Sequence, residues 1–149
     1  MAVLTKAELL QIRRQLHQIP ELALKEYQTH AYLLDVIKQM KQDYLEIREP
    51  AELSTALLVL VKGSKAKRTI GYRADIDALP VTEATGLPYA SKHQGVMHAC
   101  GHDIHMTVAL GVLSYFSEHQ PTDNLLFFFQ PADLGYHAGR RIHQHATYR

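Results

Sequence analysis

The run Leu-Leu-Phe-Phe-Phe at 125–129, set between Asp123-Asn124 and Gln130-Pro131, constrains this chain more than any other feature. Successive side chains on an extended backbone point to opposite faces, so five large apolar residues in a row need cover on both sides. The segment reads as an interior strand of an α/β sheet covered on both faces, and it is far too short for a membrane span. With 149 residues, 46% of them hydrophobic and 21% charged, the chain can build one domain with a real core but not two. Sixteen Lys plus Arg against fifteen Asp plus Glu, with no long run of either sign, argues against a nucleic-acid partner. The first six residues, Met-Ala-Val-Leu-Thr-Lys, lack the basic start and apolar core of a signal peptide, so a cytoplasmic location is expected.

Thr5-Lys-Ala-Glu8 is a capping-box pattern, and Leu9, Ile12, Leu16 and Ile19 follow at helical spacing, which predicts a first helix running to Pro20. Leu33, Val36, Ile37 and Met40 mark a second helix that fades at 41–43. Residues 55–61 and 69–73 read as two buried strands joined as a hairpin through the Gly63-Ser64-Lys65 turn. From 75 to 97 the periodicity vanishes and Pro80, Gly86, Pro88 and Gly95 punctuate the chain; a site is expected beside so long an irregular stretch. A third helix starts at Asp103 or Thr107, with Val108, Val112, Tyr115 and Phe116 on its apolar face. Residues 133–149 carry three Arg and three His with almost no apolar periodicity, and are expected to be a disordered tail following a domain of 1–132.

Chemistry concentrates in His98-Ala-Cys100-Gly-His102-Asp103-Ile-His105, which holds three imidazoles, a thiol and a carboxylate within eight positions. Cys100 is the only cysteine, so it is a buried hydrophobe, a metal ligand or a reactive thiol. Cys100 and His102, two apart around a permissive Gly101, can turn toward one ion, and such donors suit Zn²⁺, Mn²⁺, Co²⁺ or Ni²⁺ better than Mg²⁺. A helix N-terminus next door would also lower the thiol pKa. The bland alternative is a structural cysteine among capping histidines. Asp75, at the end of a strand, is placed to hold a ligating imidazole or to neighbour the ion, or else merely to cap the turn before Pro80. Asp133, just past the apolar strand, is a candidate general base, although an Asp there is more often a turn residue.

Five segments together resemble, in order and spacing, the amidohydrolase branch of the M20 metallopeptidases. They are Leu16-His-Gln-Ile-Pro-Glu-Leu22, Arg73-Ala-Asp-Ile-Asp-Ala-Leu-Pro80, Thr85-Gly-Leu-Pro-Tyr-Ala-Ser91, Met97-His-Ala-Cys-Gly-His-Asp-Ile-His-Met106 and Leu125-Leu-Phe-Phe-Phe-Gln-Pro-Ala132. Within that branch, Gly71-Tyr72-Arg73 and residues 123–129 look most like the N-acetyldiaminopimelate deacetylases of lysine biosynthesis. The resemblance implies the N-terminal part of an aminopeptidase-like α/β catalytic domain, with a mixed sheet flanked by helices. It also implies hydrolysis of an N-acyl amino acid, a divalent transition metal held by Cys100 and His102, and active-site roles for Asp75 and the carboxylate at 133. Full-length relatives are expected to be homo-oligomers.

Two departures stand out. The family pattern continues Glu-Glu after Gln-Pro-Ala, the first glutamate a proton acceptor and the second a ligand, where this chain has Asp133-Leu134. Family members are also more than twice as long, so a fragment or a frame-shifted gene is expected, with a non-catalytic remnant as the alternative to an active hydrolase. A cysteine-nucleophile or redox protein is disfavoured, because Cys100 has no second cysteine to pair with.

Overall fold

The computed structural model describes residues 3–134; the expected tail beyond Leu134 lies outside the described residues. Helix α1 (Lys6–Gln18) begins at the expected capping box: Glu8 N–H donates to Thr5 Oγ1, and the Glu8 carboxylate accepts from the Thr5 backbone. It buries Ile12, Leu16 and His17, and its cap residue Ile19 precedes Pro20. Helix α2 (Tyr27–Lys38) turns Leu33, Val36 and Ile37 inward. Strands β1 (Leu45–Arg48) and β2 (Leu57–Val61) follow, then β3 (Thr69–Asp75), helix α3 (His102–Glu118) and β4 (Asn124–Gln130). None of these helices is long and apolar enough to cross a membrane.

The four strands form one mixed sheet in the order β1-β2-β4-β3, with β4 antiparallel to β2 and parallel to β3. The architecture is therefore the expected α/β class, but the expected hairpin does not form, because β4 lies between β2 and β3. A strand as apolar as β4 is most stable with neighbours on both edges, and its insertion pushes β3 to the rim. That position overturns the expectation that both strands are buried: Thr69, Ile70, Gly71 and Arg73 are exposed. The β2-to-β3 turn instead packs on the turn that enters β4. Gly63 lies so close that an added Cβ would meet Asp123 C at 2.5 Å, and Ser64 N–H donates to Pro121 O at 2.8 Å.

One core cluster joins all three helices to the face of the sheet bearing Leu57, Val59, Val61, Ala74, Phe127 and Phe129. Each buried phenylalanine contributes roughly 1.5–3 kcal/mol of transfer free energy. The opposite face is less completely covered than the sequence suggests: Leu126 is buried, but Leu58, Leu60 and Phe128 are only half-buried.

On α3 the buried apolar residues are Met106, Ala109, Leu110 and Leu113, not the expected face; Val108 and Tyr115 are each 48% exposed, and Val112 and Phe116 half-buried. This helix is apolar around most of its circumference, so periodicity offers two candidate stripes. The one with smaller side chains joins the core cluster with α1, α2 and the sheet, and to one side of it Leu9 of α1 lies 3.4 Å from the position a Cβ on Gly111 would occupy.

Candidate active site

Strands β3 and β4 run parallel, and Asp75 pairs in register with Gln130, so both chains leave the sheet at the same edge. Open α/β sheets place their ligands at such an edge, beyond the carboxyl ends of the strands. Ile76 N–H continues the ladder to Gln130 O at 3.0 Å, and the chain then enters the irregular stretch. That stretch is anchored rather than loose. Leu79 and Met97 exchange a pair of backbone hydrogen bonds at 3.0 Å, Ala78 N–H donates to Glu21 O at 2.8 Å, and Lys92 N–H donates to Gln18 O at 2.9 Å. Glu83 accepts from Ser91 N–H at 2.6 Å and meets His17 Nε2 at 3.3 Å.

Helix α3 starts where the stretch ends. Its cap Gly101 has φ +96°, a left-handed backbone that glycine adopts without a Cβ penalty, as its place between Cys100 and His102 suggests. Asp103 in the first turn is fully buried; its Oδ1 accepts from Ile104 N–H at 3.0 Å. Its Oδ2 lies 2.8 Å from both His17 Nδ1 and Arg13 Nε.

His102 is the first residue of α3, not part of an extended turn. Its Nδ1 lies 2.9 Å from Asp77 O and 3.2 Å from Asp77 Oδ1, so that nitrogen donates and Nε2 remains for another partner. Burial disfavours the charged ring, but the Asp77 side chain and carbonyl, with the Asp75 charge behind them, outweigh it and hold the His102 pKa above the ordinary value. The residue holding the imidazole is thus Asp77, two positions beyond Asp75, whose place beside His102 and His105 fits the alternative of neighbouring an ion; the Asp-Ile-Asp spacing was the available signal.

Asp75, His102 and His105 bring one ligand atom each within 4.8 Å of one another. The two histidines are one turn apart on α3, their ring centroids 5.4 Å apart. Cys100 lies in the turn before α3 and is not among those three atoms. Cys100 is exposed, which overturns the reading of it as a buried hydrophobe; its thiol pKa is nonetheless raised, opposite to the sequence expectation, by partial desolvation first and by the nearby Asp77 and Asp103 charges, which outweigh the hydrogen bonds from the His102 and Cys100 amides. His98 is buried with neither ring nitrogen in hydrogen-bonding geometry, and burial pushes its pKa down to about 4.

Asp133 stands at the same edge. Arg73 Nη2 donates to Asp133 Oδ1, and Arg73 Nε donates to Asp75 Oδ1 at 2.7 Å, so one guanidinium ties together the two expected carboxylates. Burial lowers the Arg73 pKa, but Asp75 and Asp133 together raise it above the ordinary value. Leu134 turns its side chain to solvent, while its N–H donates to Asp77 Oδ2 at 2.8 Å.

A mixed sheet backed by helices, with carboxylates and histidines gathered beyond the ends of two parallel strands, is the layout of an aminopeptidase-like α/β catalytic domain. Comparison with known proteins agrees. Residues 71–143 match the family Peptidase family M20/M25/M40. The crystal structure of the Bacillus subtilis YXEP protein, described as a dinuclear metal-binding peptidase from the M20 family, matches with a TM-score of 0.86 at 34% identity, covering 93% of this chain and 38% of that one. The chain thus resembles the M20 family over residues 71–143, and nearly all of it shares its fold with the M20 protein of Bacillus subtilis.

Among curated relatives, an N-acetyldiaminopimelate deacetylase of Lactobacillus acidophilus is 64% identical over 149 residues, all of this chain and 39% of the relative. One of Limosilactobacillus fermentum is 69% identical over 137 residues, 92% of this chain and 36% of the relative. The chain thus spans less than two-fifths of the length of these relatives.

Proposed function

We propose that the chain is the N-terminal part, residues 1–132 with a diverged tail, of a metal-dependent amidohydrolase. Its substrate is N-acetyl-LL-diaminopimelate, hydrolysed to LL-diaminopimelate and acetate in the cytoplasm. The observation that carries the chemistry is the convergence of Asp75, His102 and His105, with His102 Nδ1 already committed to Asp77. The substrate rests on the names of the relatives at 64% and 69% identity.

The donor set of one carboxylate oxygen and two imidazole nitrogens suits Zn²⁺, Mn²⁺, Co²⁺ or Ni²⁺. His102, Asp75 and His105 would hold such an ion, with Cys100 beside them as the family resemblance implies. When bound, it supplies Lewis acidity toward the acyl group. Asp77 holds the His102 ring in one tautomer and orientation. Asp133 takes a proton from water at a carboxylate oxygen and passes it to the departing nitrogen, and Arg73 holds that carboxylate beside Asp75.

A second reading, a remnant that holds metal without turnover, is favoured by Asp133-Leu134. A general base one methylene short is misplaced on a scale where about 1 Å can cost on the order of a hundredfold, and Leu134 offers no donor. Acetate release from N-acetyl-LL-diaminopimelate, measured with and without Zn²⁺ or Mn²⁺, separates the two. Metal-dependent release supports the hydrolase; metal uptake with release at background supports the remnant. Release from a benzoyl amino acid but not from the acetyl substrate would redirect the reading to a hippurate-like hydrolase.

A further inference from the structure

Glu26 sits at the N-terminal edge of α2, is 0% exposed, and belongs to none of the chemistry above. Its Oε1 accepts the Ala132 N–H at 2.9 Å, across 106 positions of sequence, while its Oε2 has no partner in hydrogen-bonding geometry. Among the described residues, the non-glycine positions with positive φ are Leu24 (+63°) and Ala132 (+58°). Both contribute backbone amides to the surroundings of this one carboxyl group. A left-handed backbone at a residue with a Cβ persists only where its surroundings over-determine it. At Ala132 the over-determination comes from outside the sheet: Glu26 grips the amide before Asp133, and Asp77 grips the amide after it, at Leu134. Asp133 is therefore presented on a turn clamped between two carboxyl groups.

We propose that Glu26 is a positioning residue for the carboxylate at 133, holding the turn after β4 in the left-handed state that carries Asp133 to Arg73 and Asp75. The retained buried carboxyl fits this role. Burial raises its pKa, more than Thr55 and the neighbouring amides lower it, a cost that an apolar residue of the same size would avoid. The functional weight of the proposal rests on reading Asp133 as the proton acceptor.

Amide hydrogen exchange in the full chain tests it, with Glu26→Met removing the acceptor at similar volume and Glu26→Gln restoring one. The expected result is Ala132 and Leu134 amides exchanging at least tenfold faster in Glu26→Met, with Val59 and Leu16 unchanged and Glu26→Gln close to the parent chain. Unchanged Ala132 exchange in Glu26→Met, acceleration shared equally by Val59 and Leu16, or failure of Glu26→Gln to restore protection would each overturn the proposal. A Glu26→Met chain that does not fold overturns it as well, because the residue would then be structural rather than positioning. Metal-dependent acetate release that survives Asp133→Asn would instead remove the role of Asp133 and leave the exchange result standing, so the two failures are distinguishable.

Discussion

His17 and His102 are both buried and both hydrogen-bonded, and they lie on either side of Asp103, yet they are wired differently. His17 has a carboxylate oxygen on each ring nitrogen, Asp103 at 2.8 Å and Glu83 at 3.3 Å, so neither nitrogen is left for a ligand. His102 spends Nδ1 on Asp77, which leaves Nε2 for another partner, and the residue offers one ring nitrogen to the group it forms with Asp75 and His105. The first arrangement fastens α1 and the irregular stretch to the start of α3, and the second leaves a donor set incomplete. The comparison separates a histidine that holds the fold from one that holds a ligand by counting which nitrogens the protein has already satisfied.

The largest expected effect breaks the His17 side. Replacing His17 by Leu takes one hydrogen-bond partner from Asp103, which keeps Arg13, and one from Glu83, which keeps Ser91 N–H, and should cost about 1–3 kcal/mol in denaturant unfolding, while Zn²⁺ uptake by the folded fraction is unchanged. Asp77→Ala should do the reverse. Freed from its orienting partner, His102 should lose Zn²⁺ affinity by about 10–100-fold, read by competition with a chelating dye.

These two residues also mark how far the sequence could be read. The capping box at Thr5 and the apolar strand 125–129 are local patterns, and each stands in the structure where its spacing placed it. His17 sits inside a recognisable motif, but nothing near it in sequence shows that its partners are 86 and 66 positions away. Glu26 and Glu83 were missed for the same reason: a lone carboxylate gains meaning from a distant amide or ring, not from its neighbours. The β2–β3 hairpin and the inner face of α3 were misread because strand order and the choice between two apolar stripes are settled by packing against β4 and α1.

Smaller effects sharpen the account. Leu134→Glu restores the residue type of the family pattern and should tighten Zn²⁺ binding about tenfold, measured by the same competition. The smallest is a pH effect at Glu26, whose folded-state pKa is raised by burial above the ordinary 4.5. A raised carboxyl contributes stability that is full below the unfolded value and is lost as pH rises through the folded value. Glu26→Gln does not titrate, so the parent chain's stability relative to that variant should grow as pH falls from 7 toward 4.5. A constant difference across that range would show that Glu26 does not titrate with folding.

The claim that His102 faces an ion while His17 serves the fold is tested most directly by isothermal titration of Zn²⁺ into the parent chain and His102→Ala at matched folded fraction. The prediction is saturable uptake that weakens a hundredfold or more in His102→Ala. Equal uptake by both chains would contradict it and move metal binding to His137, His143 and His145, which lie outside the described residues.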